Sequence, residues 1–221
     1  MKSESDKELI ALYTDCVNCS NNENDCPSIW KDFSTGVIPR GFYFESSNIQ
    51  ILVIAKNPGH PLEREQKLLV NKSGKELLNS YFSFHRSLYK KFKFSSERST
   101  TFHKNLFNRY LPYFLDIPAE KIYSKIAHTN LVKCSTRNEQ ERLNKRVMLT
   151  CFNKYLLNEI RIYQPKVILA LGNEVYQFLK KHQDKFNVPI IKIKHPSYFY
   201  RKEEEKEILK SIKEEIHTYL T

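Results

Sequence analysis

No run of apolar residues in this chain approaches the ~18 that a membrane-spanning helix needs. The opening Met1-Lys2-Ser3-Glu4-Ser5-Asp6 has no apolar stretch of the kind a secretory signal carries, and no lipid-anchoring motif is visible. A cytoplasmic protein without a membrane partner is therefore expected. There is no internal repeat and no long linker, which points to one domain spanning 1–221. No oligomerisation signature is present, so a monomer is expected. Acidic residues are in deficit: 25 Asp and Glu stand against 36 Lys and Arg, a formal charge of +11. That imbalance favours a polyanionic partner, nucleic acid before membrane. Cysteines number five, at 16, 19, 26, 134 and 151. An odd count without a secretory signal argues against a disulfide framework and leaves metal-binding, catalytic or merely buried thiols.

The apolar residues make up 40% of the chain and aromatics 13%, enough for a sizeable core. The most informative stretch is Asn48 to His60. Ile51 to Ala55 is a short run rich in β-branched residues, closed by Lys56-Asn57-Pro58-Gly59-His60. It reads as a buried strand feeding a tight loop. Further strands are expected at Ile126 to Lys133, Lys166 to Gly172 and Val188 to Lys194. Between them lie helical patterns at 101–115, at 139–163 with Leu149, Phe152, Leu156 and Ile160 on one stripe, at 173–186 and at 203–220. Strands alternating with helices predict an α/β protein, a three-layer α/β/α sandwich around a central four-stranded parallel sheet. Right-handed crossovers would bring the strand ends near 55, 133, 172 and 194 to one edge, where open α/β sheets bind ligands. Asn57, the 130–134 segment and His195 would converge there.

Cys16 and Cys19 have the C-x2-C spacing of a metal or cluster half-site. Cys134 follows a strand and Cys151 lies on the next helix. Four such thiolates suit Zn²⁺ or a [4Fe–4S] cluster. The segment Tyr81 to Phe94 threads aromatics through basic residues, which suits phosphate contact and base stacking, or equally a helix with its rings in the core.

Several of these segments together resemble the uracil-DNA glycosylase superfamily, in particular its iron–sulfur-containing branch. Ala55-Lys56-Asn57-Pro58-Gly59 is similar to the first motif, in a form closer to the Gly-Ile-Asn-Pro-Gly of the mismatch-specific branch than to Gly-Glu-Ala-Pro-Gly. His128-Thr129-Asn130-Leu131-Val132-Lys133-Cys134 looks like the family strand that ends Thr-Asn-Val-Val-Lys-Cys. Pro165 to Gly172 resembles the third core strand. His195-Pro196-Ser197-Tyr198-Phe199-Tyr200-Arg201 resembles the second catalytic motif.

The resemblance implies a DNA glycosylase that flips a uracil-like or modified pyrimidine and hydrolyses its N-glycosidic bond, leaving an abasic site. Asn57 would position the attacking water, and His195 would donate to the departing base. Asn130 would read the pyrimidine edge, with Leu69 and Lys56 also lining the base pocket. Gly59, His60, Ser197, Tyr198, Phe199 and Arg201 would meet DNA, with Tyr198 to Tyr200 as a wedge and Lys192 and Lys194 near phosphates. The resemblance favours a [4Fe–4S] cluster over zinc, held by Cys16, Cys19, Cys134 and Cys151, with Cys26 able to replace one of the first pair. Two departures bear on substrate. Leu69 stands where the iron–sulfur branch has a Phe stacked on uracil, and Lys56 stands where it has Glu. Both leave open a glycosylase for hypermodified pyrimidines of the phage type, in an anti-phage role. A non-catalytic iron–sulfur DNA-binding protein and a zinc-stabilised nuclease or RNA-processing factor are the remaining alternatives.

Overall fold

The computed structural model describes residues 7–9, 11–12, 43–44, 48–59, 67, 72, 76, 79–80, 83, 101–135, 143–198 and 200–220. Cys16, Cys19, Cys26, His60, Leu69, Phe199 and most of 62–100 lie outside them. By its contacts the chain divides into two units. The first comprises 1–43, 56–88 and 129–162, the second 44–55, 89–128 and 163–221.

The fold is the expected three-layer α/β/α class, built on a parallel sheet. Strands β1 (Tyr43–Phe44), β2 (Ile51–Ala55), β3 (Ile126–Asn130), β4 (Val167–Leu171) and β5 (Ile190–Ile193) take the order β1-β3-β2-β4-β5. These strands belong to the second unit, except that Tyr43, Thr129 and Asn130 are grouped with the first. The two-residue β1 is a fifth strand, beyond the four expected, and falls in a stretch that reads as irregular because Gly36, Pro39 and Gly41 interrupt it. β2 pairs in parallel with β4, Ile51 opposite Val167 and Ile54 opposite Ala170. β4 pairs in parallel with β5, Leu171 opposite Ile193. Every residue of β2 and β4 is buried, which is why their sequences are continuous apolar runs rather than alternations. On β5, at the edge, Lys192 faces solvent, a charge that discourages further strand pairing.

Two helices carry a wide turn. Helix α1 spans 101–115, α-helical at Thr101–Asn105 and Leu111–Leu115 and π-helical at Leu106–Tyr110. Helix α2 spans 145–163, with a π-helical turn at Phe152–Leu156. In α1 the buried apolar residues recur every four, in two adjacent files. One is Leu106, Tyr110 and Phe114, and the other is Phe107, Leu111 and Leu115. In α2 the files are Val147, Cys151, Tyr155, Glu159, Tyr163 and Met148, Phe152, Leu156, Ile160. A regular α-helix turns about 400° in four residues, so such a file drifts by about 40° per step. The wider π turn takes up that drift and keeps each file on one face. Leu149, expected on the apolar stripe, is instead 40% exposed for the same reason. α2 begins at Lys145, where the Asn144 side chain accepts from Arg146 N at 2.8 Å.

In the second unit, helices α3 (Asn173–Lys181) and α4 (Lys202–Leu220) both pack on β4 and β5. α4 also lies along α1. Arg109 pairs with Glu205, Tyr110 Oη donates to Glu205 at 3.2 Å, and the His217 ring meets the Phe114 carbonyl at 2.8 Å. Burial and the nearby Glu205 carboxylate push the Tyr110 hydroxyl up to about 12, so it remains a donor.

Candidate functional site

Each of the three principal candidates stands at, or within two residues of, the carboxyl end of a strand. Asn57 follows β2 (Ile51–Ala55), Asn130 closes β3, and His195 follows β5. β3 ends at Asn130 rather than at Lys133, because the chain bends at 131–134.

Within the first unit, the loops after β2 and β3 are tied together. Val132 N donates to the Lys56 carbonyl at 2.9 Å, and Ser135 Oγ donates to the Gly59 carbonyl at 2.7 Å. These two bonds bracket Asn57. Its Nδ2 donates to the Pro58 carbonyl at 3.3 Å, which leaves Oδ1 as the arm able to accept from a water. Asn57 and Lys56 are half-buried, Pro58 is buried, and Gly59 is exposed. A Cβ at Gly59 would meet nothing within 4 Å, so this backbone is open to close approach. Asn130 is 2% exposed.

Beneath Asn130 is a charged cluster that joins the 129–133 segment to α2. Lys133 and Glu159 form an ion pair with both side chains fully buried. Lys133 Nζ also donates to Thr129 Oγ1 at 2.8 Å and to the Asn130 carbonyl at 2.5 Å. Thr129 Oγ1 in turn donates to Glu159 Oε1 at 2.7 Å. An ammonium has three protons, and here each has an acceptor. Removing one partner of such a pair costs about 3–5 kcal/mol, because the other charge is left buried. Two signals for it exist in the sequence: a lysine ending the run Leu131-Val132-Lys133, and a glutamate in the buried file of α2.

Cys134 and Cys151 are both buried in the first unit. Two buried thiols suit half of a soft-metal or iron–sulfur site. Among the described residues no group of three or more His, Cys, Asp or Glu is arranged to hold a metal ion.

In the second unit, His195 is half-buried and its loop is fixed at several points. Asn105, buried on α1, donates from Nδ2 to the Pro196 carbonyl at 2.8 Å. Tyr198 N donates to the His195 carbonyl at 2.9 Å, and Lys194 N donates to Tyr200 Oη at 2.9 Å. Ser197 N donates to His195 Nδ1 at 3.3 Å. An Nδ1 that accepts places the proton of the neutral ring on Nε2. Burial lowers the pKa of His195 below its ordinary 6.5, so the neutral form prevails at neutral pH. The Phe102 ring, 5.4 Å from the His195 ring and 6.0 Å from that of His128, covers part of the His195 ring. Neither Asn105 nor Phe102 carries a sequence signal that marks it for this place.

Beside His195 opens a cavity of about 730 Å³, whose lining includes Asn173, Lys192, Lys194, Tyr198 and Tyr200. Lys192 and Lys194 are exposed, each 5.5 Å from a tyrosine ring centre, Tyr176 and Tyr200 respectively. Tyr198 is 64% exposed, unusual for an aromatic ring and suited to contact with another molecule. Ser197 is exposed, as is Arg201, whose contact with Glu204 at 3.7 Å is a surface pair of little energetic weight.

A parallel α/β sheet with polar loops at its strand ends defines the class of ligand-binding three-layer proteins. The family follows from comparison: the model of the uracil DNA glycosylase superfamily matches residues 42–217, and the chain belongs to that superfamily. Its members are DNA glycosylases, which hydrolyse N-glycosidic bonds. A search of curated protein sequences returned no match. Among the described residues no helix is long and apolar enough to cross a membrane.

Proposed function

We propose that this protein is a DNA glycosylase that flips a uracil-like or modified pyrimidine out of DNA and hydrolyses its N-glycosidic bond. The observation that carries the reading is the tautomer of His195. A neutral ring with its proton on Nε2 is a donor for the pyrimidine oxygen on which negative charge develops as the bond breaks. Such a bond strengthens towards the transition state, and so it raises rate rather than mere binding. Asn57 holds the attacking water through Oδ1. An amide is too weak a base to deprotonate it, and positioning suffices because the sugar develops oxocarbenium character. Asn130 reads the pyrimidine edge, with Lys56 in the loop that Val132 N ties to the end of β3. Leu69 is assigned to the base pocket by its place in the family pattern alone.

A base inside the stack is out of reach, so the nucleotide must be flipped. Exposed Tyr198 is the wedge, with Phe199 next in sequence. Lys192, Lys194, Arg201 and Ser197 contact the backbone, together with Gly59 and, next in sequence, His60. Lys56 and Leu69, which replace an acid and an aromatic ring, support a substrate set wider than uracil. It includes bulky modified pyrimidines, as an anti-phage role would require.

Cys16, Cys19, Cys134 and Cys151 would hold a [4Fe–4S] cluster, which when bound braces the segments that carry it. Its expected signature is a visible absorption band in the purified protein that is lost in Cys134→Ser. A colourless protein containing zinc would assign the thiols to that metal instead.

The decisive experiment incubates the wild type and Asn57→Ala with single- and double-stranded DNA bearing uracil, mismatches or hypermodified pyrimidines, then cleaves abasic sites with alkali. The wild type is expected to generate strand breaks on at least one substrate, and Asn57→Ala to lose about 10²-fold or more in rate. Absence of breaks on every substrate would overturn the reading.

A further inference from the structure

We propose that Lys133 and Glu159 are positioning residues that aim Asn130, acting through its backbone. The inference rests on the reading of Asn130 as the residue that meets the pyrimidine edge. The geometry is a closed ring within the first unit. Glu159 accepts a hydrogen bond from Thr129 on one oxygen and from Lys133 on the other. Lys133 returns to Thr129 and to the carbonyl of Asn130 at 2.5 Å. Thr129 and Asn130 are the last two residues of β3, where ladder hydrogen bonding gives way to the bend at 131–134. A strand end would ordinarily be free to fray. Here the peptide plane after Asn130 is pinned by an ammonium, and that plane helps set the direction of the Asn130 Cα–Cβ bond.

A buried ion pair is a poor choice for stability alone, because an apolar pair of equal volume serves as well or better. What such a pair adds is directionality. The ammonium holds three acceptors in a fixed array, and one of them is the carbonyl of Asn130. The bond from Val132 N to the Lys56 carbonyl extends the constraint to the loop of Asn57. A glycosylase needs its base-reading group held to a fraction of an ångström, which a frayed strand end cannot supply.

The test is the paired substitution Lys133→Met with Glu159→Gln, which removes both charges, shortens position 133 by one atom and leaves position 159 isosteric. The Gln oxygen still accepts from Thr129, while the bond from Lys133 to the Asn130 carbonyl is removed. The expected variant melts cooperatively near the wild-type temperature and binds product DNA carrying an abasic site with unchanged affinity. Its kcat falls about tenfold or more. In an Asn130→Ala background the same pair of substitutions costs nothing further, since the effect passes through Asn130. Hydrogen exchange of the backbone amides at 130–133 is expected to accelerate, with β4 unchanged. Wild-type kcat and exchange in the paired variant would overturn the proposal, as would a loss that adds in full to that of Asn130→Ala. Were the wild type inactive on every DNA, the glycosylase reading would fall. The exchange readout would then decide the positioning by itself: acceleration at 130–133 upholds it and no change overturns it. Thr129→Val removes one hydroxyl and no charge. It gives a smaller effect of the same sign and serves if the paired variant does not fold.

Discussion

At the scale of single residues, His195 illustrates how burial and one backbone hydrogen bond fix the state of a side chain of ordinary chemistry. Its sequence neighbours mark it as the start of a turn, His195-Pro196-Ser197. Its protonation state is set by burial and by the Ser197 amide. The sign of the pH dependence follows. With a folded pKa below 6.5, the ring stays neutral below the pH at which an ordinary histidine is half protonated. Excision is expected to persist there and to fall as pH drops through the folded pKa. The contribution to stability has the same sign: present above 6.5, and lost as pH falls through the folded value. Phe102→Ala admits water to the ring and is expected to raise the pKa of His195 towards 6.5. A histidine NMR titration and the acid limb of the pH–rate profile check this, and both should move to higher pH.

At the scale of elements, the turns decide where side chains point. Gly172, between β4 and α3, has φ 87° and ψ 166°, a region that side-chain-bearing residues scarcely enter. A Cβ there would meet His195 Cβ at 3.8 Å, an ordinary contact, so any substitution cost is backbone strain rather than a clash. Gly172→Ala is expected to destabilise the fold by about 1–3 kcal/mol, measured by urea unfolding. The strands and helices are largely legible in the sequence, because a continuous apolar run such as Val167–Leu171 has few other ways to be buried. The two π turns are not. Periodicity marks a helix, but a four-residue file and an α-helical stripe differ only over several turns. Leu149 therefore reads as buried although it faces solvent.

At the scale of the whole molecule, the formal charge of +11 has a consequence for affinity. A polycation on DNA displaces condensed counterions, so binding weakens steeply with salt. Lys192 and Lys194 are exposed beside the cavity next to His195. Replacing either with Ala is expected to reduce the slope of log K against log salt by about 1, uniformly across DNA sequences. Titrations of binding at several salt concentrations measure it.

The sequence by itself determined four of the five strands, their parallel sheet and the polar residues that follow β2 and β5, because hydrophobic period and chain punctuation are local properties. It also carried the resemblance to the superfamily whose model matches residues 42–217. Only the tertiary structure decided the partners. Lys133 and Glu159 are 26 positions apart, and their joint burial beneath Asn130 depends on how a strand end and a helix meet. Asn105 and Pro196 are 91 apart, and the hydrogen bond between them exists only once α1 lies against the His195 loop. Such pairings follow from packing, which no single segment of the chain encodes.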